Sequence, residues 1–199
     1  MRIFIGLDIE NSIRERIRRF MDGVRGFAPD TRWTRPESLH VTLKFVGEKA
    51  MPTVEEIRSS LTSIKGRPID LSFRGSGFFP TAKSARVFWI GVHGDPELGQ
   101  LAATVDETTA RLGIPKEDHA FSPHLTLARG GKSGSPRGQK GEGTSAAFQR
   151  LEEKLAAMAQ PEFGTMTARA FYLYQSKLSP GGAQYTKMER YPLAREVLQ

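Results

Sequence analysis

Hydrophobic and polar residues alternate along several short segments of this chain, and alternation with a period of two predicts half-buried β-strands. The predicted strands are RIFIGLDI, LHVTLKFV, PIDLSFRG, ARVFWIGV, HLTLAR, TARAFYLYQSKL and a last one near YTKMERYP. Between the third and fourth of these strands, GFFPTAKS is predicted to be an aromatic loop, and SPGGA is predicted to be a turn before the last strand.

Four amphipathic helices are predicted between these strands, because apolar residues recur there at spacings of three and four. Helices mixed with hairpin-like strand pairs favour an α+β fold with antiparallel sheets over a doubly wound fold. The four apolar stripes are Ile13, Ile17, Phe20, Met21 and Val24; Val54, Ile57, Leu61 and Ile64; Leu98, Leu101, Val105 and Leu112; and Phe148, Leu151, Leu155 and Met158.

Sequence signals also mark the ends of these helices. Asp95 followed by Pro96 predicts the start of the third helix, and Gly113 predicts its end. Two strings of the type S/T-x-x-E predict capping boxes in the first two helices, Ser12 with Glu15 and Thr53 with Glu56.

Composition narrows the class of protein. The 199 residues are enough for one domain with a substantial core, and we expect residues 1–199 to form a single monomeric domain. There is no cysteine, which excludes disulfides, thiolate metal sites and a cysteine nucleophile and suits a reducing cytoplasm. The opening MRIFIGLDIE has no basic leader and no long apolar run follows, so we predict neither a signal peptide nor a membrane span.

The charge balance favours polyanionic partners. Lysine and arginine exceed aspartate and glutamate by seven, and such an excess suits contacts with phosphates of RNA. Residues 130–146 are rich in glycine and serine and carry Lys132, Arg137 and Lys140 against Glu142, which predicts a flexible basic loop. This loop either contacts RNA or is simply solvated.

Two of the four histidines lie in nearly the same setting, SLHVTL at residues 38–43 and SPHLTL at residues 122–127. Strand alternation puts His40 and Thr42 on one face, and likewise His124 and Thr126. Either segment alone is an ordinary strand. A chance repeat, however, has odds of about one in ten thousand from average residue usage, so the pair carries a functional signal.

Two imidazoles and two hydroxyls in one cleft suit displacement at phosphorus. One imidazole can act as a base for the incoming oxygen and the other as an acid for the leaving oxygen, while hydroxyls hold the non-bridging oxygens. No metal or other cofactor is then required. No histidine pair has ligand spacing for zinc, and no G-x-S-x-G string indicates a serine hydrolase.

Other polar candidates lie near these strands. Arg129 suits phosphate, but strict alternation places it on the face of Leu127, so it reaches the cleft only if the strand ends or bulges. Lys44 shares the face of His40 by the same count, or is a solvated lysine at the strand end.

Aromatic residues and the other two histidines have either a functional role or an ordinary structural one. Phe78, Phe79 and Tyr185 are candidates for stacking on RNA bases. We expect Trp33 and Trp89 to lie in the core or between the lobes. We expect His93 and His119 to be structural or exposed.

The two H-x-T-x strings, with RIFIGLDI, RWTRPESLHVTLKFVG, FFP, FSPHLTLAR and LYQSKLSPGGAQY, resemble the two-histidine phosphoesterase superfamily. Nearly the whole chain resembles its RNA 2′,3′-cyclic phosphodiesterase branch, often called 2′-5′ RNA ligase. The resemblance implies a bilobal α+β fold with two antiparallel sheets, helices flanking them, a pseudo-twofold and a central active-site groove. The connection after the second motif is longer than is usual in the family, which leaves the preferred substrate length open.

The resemblance also implies the reaction and the roles. RNA ending in a 2′,3′-cyclic phosphate would be hydrolysed to a 2′-phosphomonoester, with His40 as proton donor and His124 as proton acceptor. Thr42 and Thr126 would hold the phosphate, and Arg129 would lie in the groove. Two alternatives stay open: reverse 2′-5′ ligation as a side activity, and a non-catalytic module that binds nucleotides or RNA.

Overall fold

The computed structural model describes residues 1–130, 143–179 and 182–194, with side chains described from residue 147 onward in the second range. Two antiparallel sheets and four helices make up this part of the chain. The helices are α1 (Asn11–Val24), α2 (Met51–Leu61), α3 (Pro96–Ala110) and α4 (Gly143–Ala156). The strands are β1 (Arg2–Asp8), β2 (Arg32–Trp33), β3 (His40–Glu48), β4 (Ile69–Phe79), β5 (Val87–Gly94), β6 (His124–Arg129), β7 (Glu162–Ala168), β8 (Ala170–Ser179) and β9 (Gly182–Pro192).

The two sheets have related strand orders, β3-β1-β8-β9 and β2-β6-β5-β4-β7. In each sheet a histidine-bearing strand lies beside the strand that opens its half of the chain, β3 beside β1 and β6 beside β5. The third strand comes from the other half, β8 in the first sheet and β4 in the second. The predicted bilobal α+β fold is therefore confirmed, with lobes that exchange strands.

One continuous core joins the lobes. Its position determines which face of each strand remains available for a functional site. Ile3, Ile5 and Leu7 on β1 are fully buried, as are Leu125 and Leu127 on β6. Because strand side chains alternate, the opposite faces of β1, β3 and β6 carry the remaining, more polar residues. Apolar burial thus fixes the orientation of both histidine strands.

Three strand boundaries differ from the sequence predictions. TARAFYLYQSKL was predicted as one strand, but β7 ends at Ala168 and β8 begins at Ala170, in the other sheet. The apolar alternation continues through the crossing, so the pattern contains no sign of it. Arg32 and Trp33 form a short strand where no strand was predicted, and β4 extends through Phe79 into the predicted aromatic loop.

Both predicted capping boxes are wrong. The N-cap of α1 is Glu10 and that of α2 is Ala50, and neither cap makes a side-chain hydrogen bond. Ser12 and Thr53 already lie inside their helices, and Glu15 pairs with Arg18 instead. By contrast, the N-cap Asp95 is confirmed.

The predicted flexible basic loop lies mainly outside the described residues. Its last residues were predicted wrongly, because α4 begins at Gly143. At the end of α3, Gly113 has a φ of 78° and lies past the last helical residue, Ala110. Across the described ranges, no helix combines the length and the apolar character that crossing a bilayer requires.

Candidate active site

The two histidine strands face each other although they belong to different sheets. Strand β3 contacts β6, and the positive charge of His124 contributes to the low pKa of His40, so the two imidazoles share one groove. Both rings are half-buried, as are Thr42 and Thr126 beside them. Neither threonine hydroxyl hydrogen-bonds to another group in the described part of the chain, so both are available as donors.

Each imidazole is held by the same backbone contact. His40 Nδ1 lies 2.8 Å from the carbonyl oxygen of Ser38, and His124 Nδ1 lies 2.7 Å from that of Ser122. A carbonyl oxygen only accepts, so Nδ1 carries the proton and donates in both residues. The neutral rings therefore leave Nε2 as a proton acceptor, and the charged rings leave it as a donor.

The two imidazoles differ in how far their pKa is displaced. Burial lowers the pKa of His40 to about 4, aided by the charges of Arg129 and His124 and partly opposed by the Ser38 hydrogen bond and Asp8. Burial also lowers the pKa of His124, with a further contribution from Arg129. Both rings are consequently neutral at pH 7 in the free protein, and an anionic ligand would raise both pKa values.

A bulge brings Arg129 to the groove. Phe88 pairs with Ala128 and Trp89 with Thr126, so Leu127 is an extra residue in β6. The bulge reverses the alternation beyond it and puts exposed Arg129 on the histidine face, where its charge lowers the pKa of both imidazoles. The bulge that Arg129 needs in order to reach the cleft is therefore present, and Arg129 is available to bind an anion.

The corresponding bulge in β3 has the opposite effect on Lys44. Thr42 pairs with Gly6 and Lys44 with Ile5, so Leu43 is the extra residue. Lys44 therefore shares the core face of Ile5 and is 2% exposed. Its Nζ lies 2.6 Å from Asp106 Oδ1 and 3.2 Å from Glu117 Oε1.

Both readings of Lys44 are therefore wrong. It is neither a groove residue beside His40 nor a solvated lysine, because the bulge turns it inward. Its charge is stabilised by the two carboxylates and by the carbonyl oxygen of Pro115, 2.6 Å away. Lys44 joins β3 to the α3 side of the molecule.

Two of the predicted stacking residues lie edge-on to the histidines. The ring of Tyr185 is 4.9 Å from that of His40 at 87°, and the ring of Phe79 is 5.0 Å from that of His124 at 80°. Phe78 packs instead against Phe88, at 5.1 Å, on the core side. The groove therefore presents one aromatic edge beside each imidazole.

Further groove residues were missed at the sequence level. Phe4 lies 4.4 Å from the His40 ring and 4.8 Å from the ring of Tyr174. The Tyr174 hydroxyl is buried with no hydrogen-bond partner, and burial raises its pKa. No sequence pattern indicates that these residues lie in the groove, because β1 and β8 are neighbours only as a result of the strand exchange.

Trp89, expected in the core or between the lobes, pairs with Thr126 and so shares the groove face of that residue. Its indole crosses the Cα of Gly77, where an added Cβ would come within 2.3 Å of the ring. Trp33 packs against the core, and His93 and His119 are exposed, as expected.

A cavity of about 470 Å³ opens beside His40. Its wall includes Asp8, which forms ion pairs with Arg14 and Lys187. Burial would raise the pKa of Asp8, but these two cations outweigh it and lower the pKa. The cavity is therefore polar and close to neutral. The remaining lining residues are Asn11, Glu37, Ser38, Leu39, Tyr174, Tyr185 and Thr186.

A larger cavity, of about 650 Å³, contains neither histidine and lies near Asp70 and Arg169. Within the described residues, no three His, Asp or Glu side chains come together as metal ligands do. The chemistry of the groove therefore has to be argued from the imidazoles, the hydroxyls and Arg129.

Comparison with known proteins agrees with this two-lobed, two-histidine arrangement. The family model described as LigT like Phosphoesterase matches residues 7–89 and, a second time, residues 90–185. The chain belongs to the LigT-like phosphoesterase family, and the resemblance identified in the sequence is confirmed. The two successive matches correspond to the two halves that contribute one histidine strand each.

Relatives with full-length similarity carry a common name. A protein of Archaeoglobus fulgidus is 34% identical over 185 residues, covering 93% of this chain and 96% of its own. One of Aquifex aeolicus is 31% identical over 203 residues, covering 97% of each chain. Both are named RNA 2′,3′-cyclic phosphodiesterase.

Solved structures support the same fold. The protein TT0787 of Thermus thermophilus aligns with a TM-score of 0.77 at 25% identity, covering 98% of this chain and 100% of that one. E. coli LigT complexed with 3′-AMP aligns with a TM-score of 0.74 at 26% identity, covering 96% of this chain and 97% of that one.

Proposed function

We propose that this protein is an RNA 2′,3′-cyclic phosphodiesterase that hydrolyses the cyclic end to a 2′-phosphomonoester without a metal ion. The observation that carries the proposal is the pair of imidazoles, each held by Nδ1 with Nε2 left for chemistry. The names of the full-length relatives give the substrate class. The polarity of the two histidines follows the family resemblance.

In the proposed reaction, His124 Nε2 accepts a proton from water as the water oxygen attacks phosphorus. The bond between phosphorus and the 3′ oxygen breaks on the opposite side, and His40 Nε2 donates its proton to that oxygen. The product carries a 2′-phosphate and a 3′-hydroxyl, and proton exchange with solvent restores both imidazoles.

Electrostatics supplies the remaining stabilisation. The hydroxyls of Thr42 and Thr126 and the guanidinium of Arg129 donate to the non-bridging oxygens, where negative charge grows during attack. The bound diester also offsets the charge of Arg129, which raises the pKa of His40 from its low value in the free protein. Substrate binding thus favours the protonated acid that the reaction needs.

Ligation of a cyclic end to a 5′-hydroxyl uses the same groups in the same roles, with the 5′-hydroxyl in place of water: His124 accepts its proton and His40 donates to the departing 3′ oxygen. Hydrolysis prevails in water because water is far more concentrated than a 5′-hydroxyl end. A purely binding module is disfavoured, because binding alone does not need two imidazoles with free Nε2 atoms.

The test is to incubate the protein, in the presence of a chelator, with an oligoribonucleotide ending in a 2′,3′-cyclic phosphate, and to determine where the product phosphate lies. A 2′-phosphate is expected. A 3′-phosphate would keep the chemistry and reverse the roles of the histidines. Absence of product from folded protein would favour the binding module, and activity that requires added metal would refute metal independence.

A further inference from the structure

A second arginine faces the groove and has no role in the reaction proposed above. Ile3 and Ile5 on β1 are buried in the core, so the alternate residues Arg2 and Phe4 occupy the other face. The Phe4 ring lies 4.9 Å from the Tyr185 ring, on the groove side. Arg2 therefore lies on the groove wall, two residues along the strand from Phe4.

The guanidinium of Arg2 is held in place but not neutralised. Its guanidinium carbon lies 5.0 Å from the centre of the Phe45 ring, and Phe45 is 49% exposed. Arg2 Nε is buried without a hydrogen-bond partner, and Arg2 forms no ion pair with any described residue. The neighbouring cations Arg14 and Lys187 are both paired with Asp8.

The two bulges make Arg2 and Arg129 counterparts. Beyond the Leu127 bulge the groove residue is Arg129, and beyond the Leu43 bulge it is Phe45, which supports Arg2. Both arginines are close enough to Tyr185 to lower the pKa of its hydroxyl against the effect of burial. Each lobe therefore places one unpaired guanidinium in the groove.

The two guanidiniums are at different distances from the reacting centre. Arg129 lowers the pKa of both imidazoles and so lies close to them. Arg2 lies two residues, about 7 Å, along β1 from Phe4, whose ring contacts the His40 ring, and is therefore further along the groove from the reacting centre. The phosphates of single-stranded RNA are one nucleotide apart. An exposed aromatic ring beside a guanidinium suits both a phosphate and a base.

We propose that Arg2, supported by Phe45, binds the phosphodiester that precedes the terminal nucleotide, so that the enzyme prefers RNA ends to cyclic mononucleotides. This inference rests on the proposed function and adds substrate length to it. Arg2 makes no contact with the reacting atoms, and its contribution requires at least one upstream phosphate.

The test compares kcat/KM for a nucleoside 2′,3′-cyclic phosphate and for a trinucleotide with the same cyclic end. For Arg2→Gln we expect a fall of about tenfold on the trinucleotide, as for loss of one charge-assisted hydrogen bond, and less than about twofold on the mononucleotide. Arg2→Lys keeps the charge and should recover part of the loss. Arg111→Gln removes an arginine with a 74% exposed side chain at the C-cap of α3 and is the matched control.

Salt dependence gives a second readout. Loss of one phosphate contact should reduce the slope of log kcat/KM against log salt by about 0.7 for the trinucleotide. Arg2→Lys and Arg111→Gln should keep the slope of the unaltered protein. Thermal unfolding of each variant identifies any loss that is due to misfolding.

Equilibrium binding of the 2′-phosphate trinucleotide separates this inference from the proposed function, because it requires no turnover. Weaker binding by Arg2→Gln supports the inference even if the protein hydrolyses no cyclic end. Unchanged binding, or an equal fall in kcat/KM on mononucleotide and trinucleotide, overturns it. A loss shared by Arg111→Gln would mean that only net charge matters, and would overturn it as well.

Discussion

His40 and His124 each donate Nδ1–H to a backbone carbonyl and each lie beside a perpendicular aromatic ring, but their surroundings differ in polarity and burial. His40 lies among Phe4, Tyr174 and Tyr185, opposite Asp8, whereas His124 lies opposite Gly91 and close to the exposed Arg129. The difference teaches that one repeated motif yields two chemically distinct imidazoles when its neighbours differ. Burial lowers the pKa of His40 to about 4 and also lowers that of His124, so a bound phosphate has to raise the pKa of whichever imidazole donates the proton.

Replacement of either histidine should have the largest effect. His40→Gln and His124→Gln should each lower kcat by about a hundredfold to ten-thousandfold, because each removes a proton transfer. A 2′-phosphodiester substrate with a nitrophenolate leaving group needs no protonation, so it should restore turnover in His40→Gln and not in His124→Gln. Restoration in the opposite variant would exchange the acid and the base.

Lys44 tests whether the two histidine strands also differ in their contribution to stability, because β6 has the small Ala128 at the matching place after its bulge. Lys44→Ala should lower the free energy of unfolding by about 3 kcal/mol, because it leaves Asp106 without its buried partner. Denaturant unfolding measures this change. Lys116→Ala, which removes an exposed ion pair with Glu107, should change stability little.

The two outcomes for Lys44 are distinguishable by activity. If Lys44→Ala kept its stability and lost turnover, the lysine would act in the groove, as strict alternation predicts. We expect the reverse, with kcat/KM unchanged at temperatures where the variant is folded.

The low pKa of His40 predicts how stability depends on pH. The unfolded residue has a pKa of about 6.5 and so binds its proton more readily than the folded one, whose pKa is about 4. The stability that depends on neutral His40 is therefore complete above about pH 6.5 and is lost as the pH falls towards 4.

His40→Gln has no such proton to bind, so between pH 7 and pH 4 it should lose about 3 kcal/mol less than the unaltered protein. Denaturant unfolding at both pH values measures the difference. His124→Gln provides the comparison within the groove. An identical loss in the His40→Gln variant and the unaltered protein would mean that His40 titrates normally in the folded protein.

Replacement of Arg129 should lower the rate less than replacement of either histidine and should also shift the pH profile. Arg129→Gln should lower kcat/KM about tenfold, through loss of a charge-assisted contact with phosphate. It should also move both limbs of the profile to higher pH, because the guanidinium lowers the pKa of both imidazoles. A fall in rate with no shift of the limbs would place Arg129 away from the histidines.

Much of this fold could be predicted from local patterns. The histidine strands, the apolar stripes of the helices and the start of α3 at Asp95 all follow from periodicity and from one capping signal. The failures lie where tertiary pairing decides. Arg169 marks a crossing between sheets inside an unbroken apolar alternation, and only the packing of β7 and β8 in different sheets reveals it.

The site shows the same division between local and tertiary information. His40, Thr42, His124 and Thr126 were found because a rare string is repeated, and their catalytic roles stay predictions. Lys44 and Arg129 depend on bulges that leave no trace in composition, so alternation alone misplaces them. Further groove residues, such as Phe4 and Arg2, come from a strand with no motif of its own.

The exchange of the third strands also bears on how such a chain could arise. A single ancestral half would expose an unpaired strand edge, and two copies that exchanged strands would pair that edge within a twofold dimer. Both active-site histidines would then be identical by symmetry, and any substitution would alter both at once. Fusion of the copies removes that constraint, so Phe45 could diverge from Arg129, and the surroundings of His40 from those of His124, within one gene.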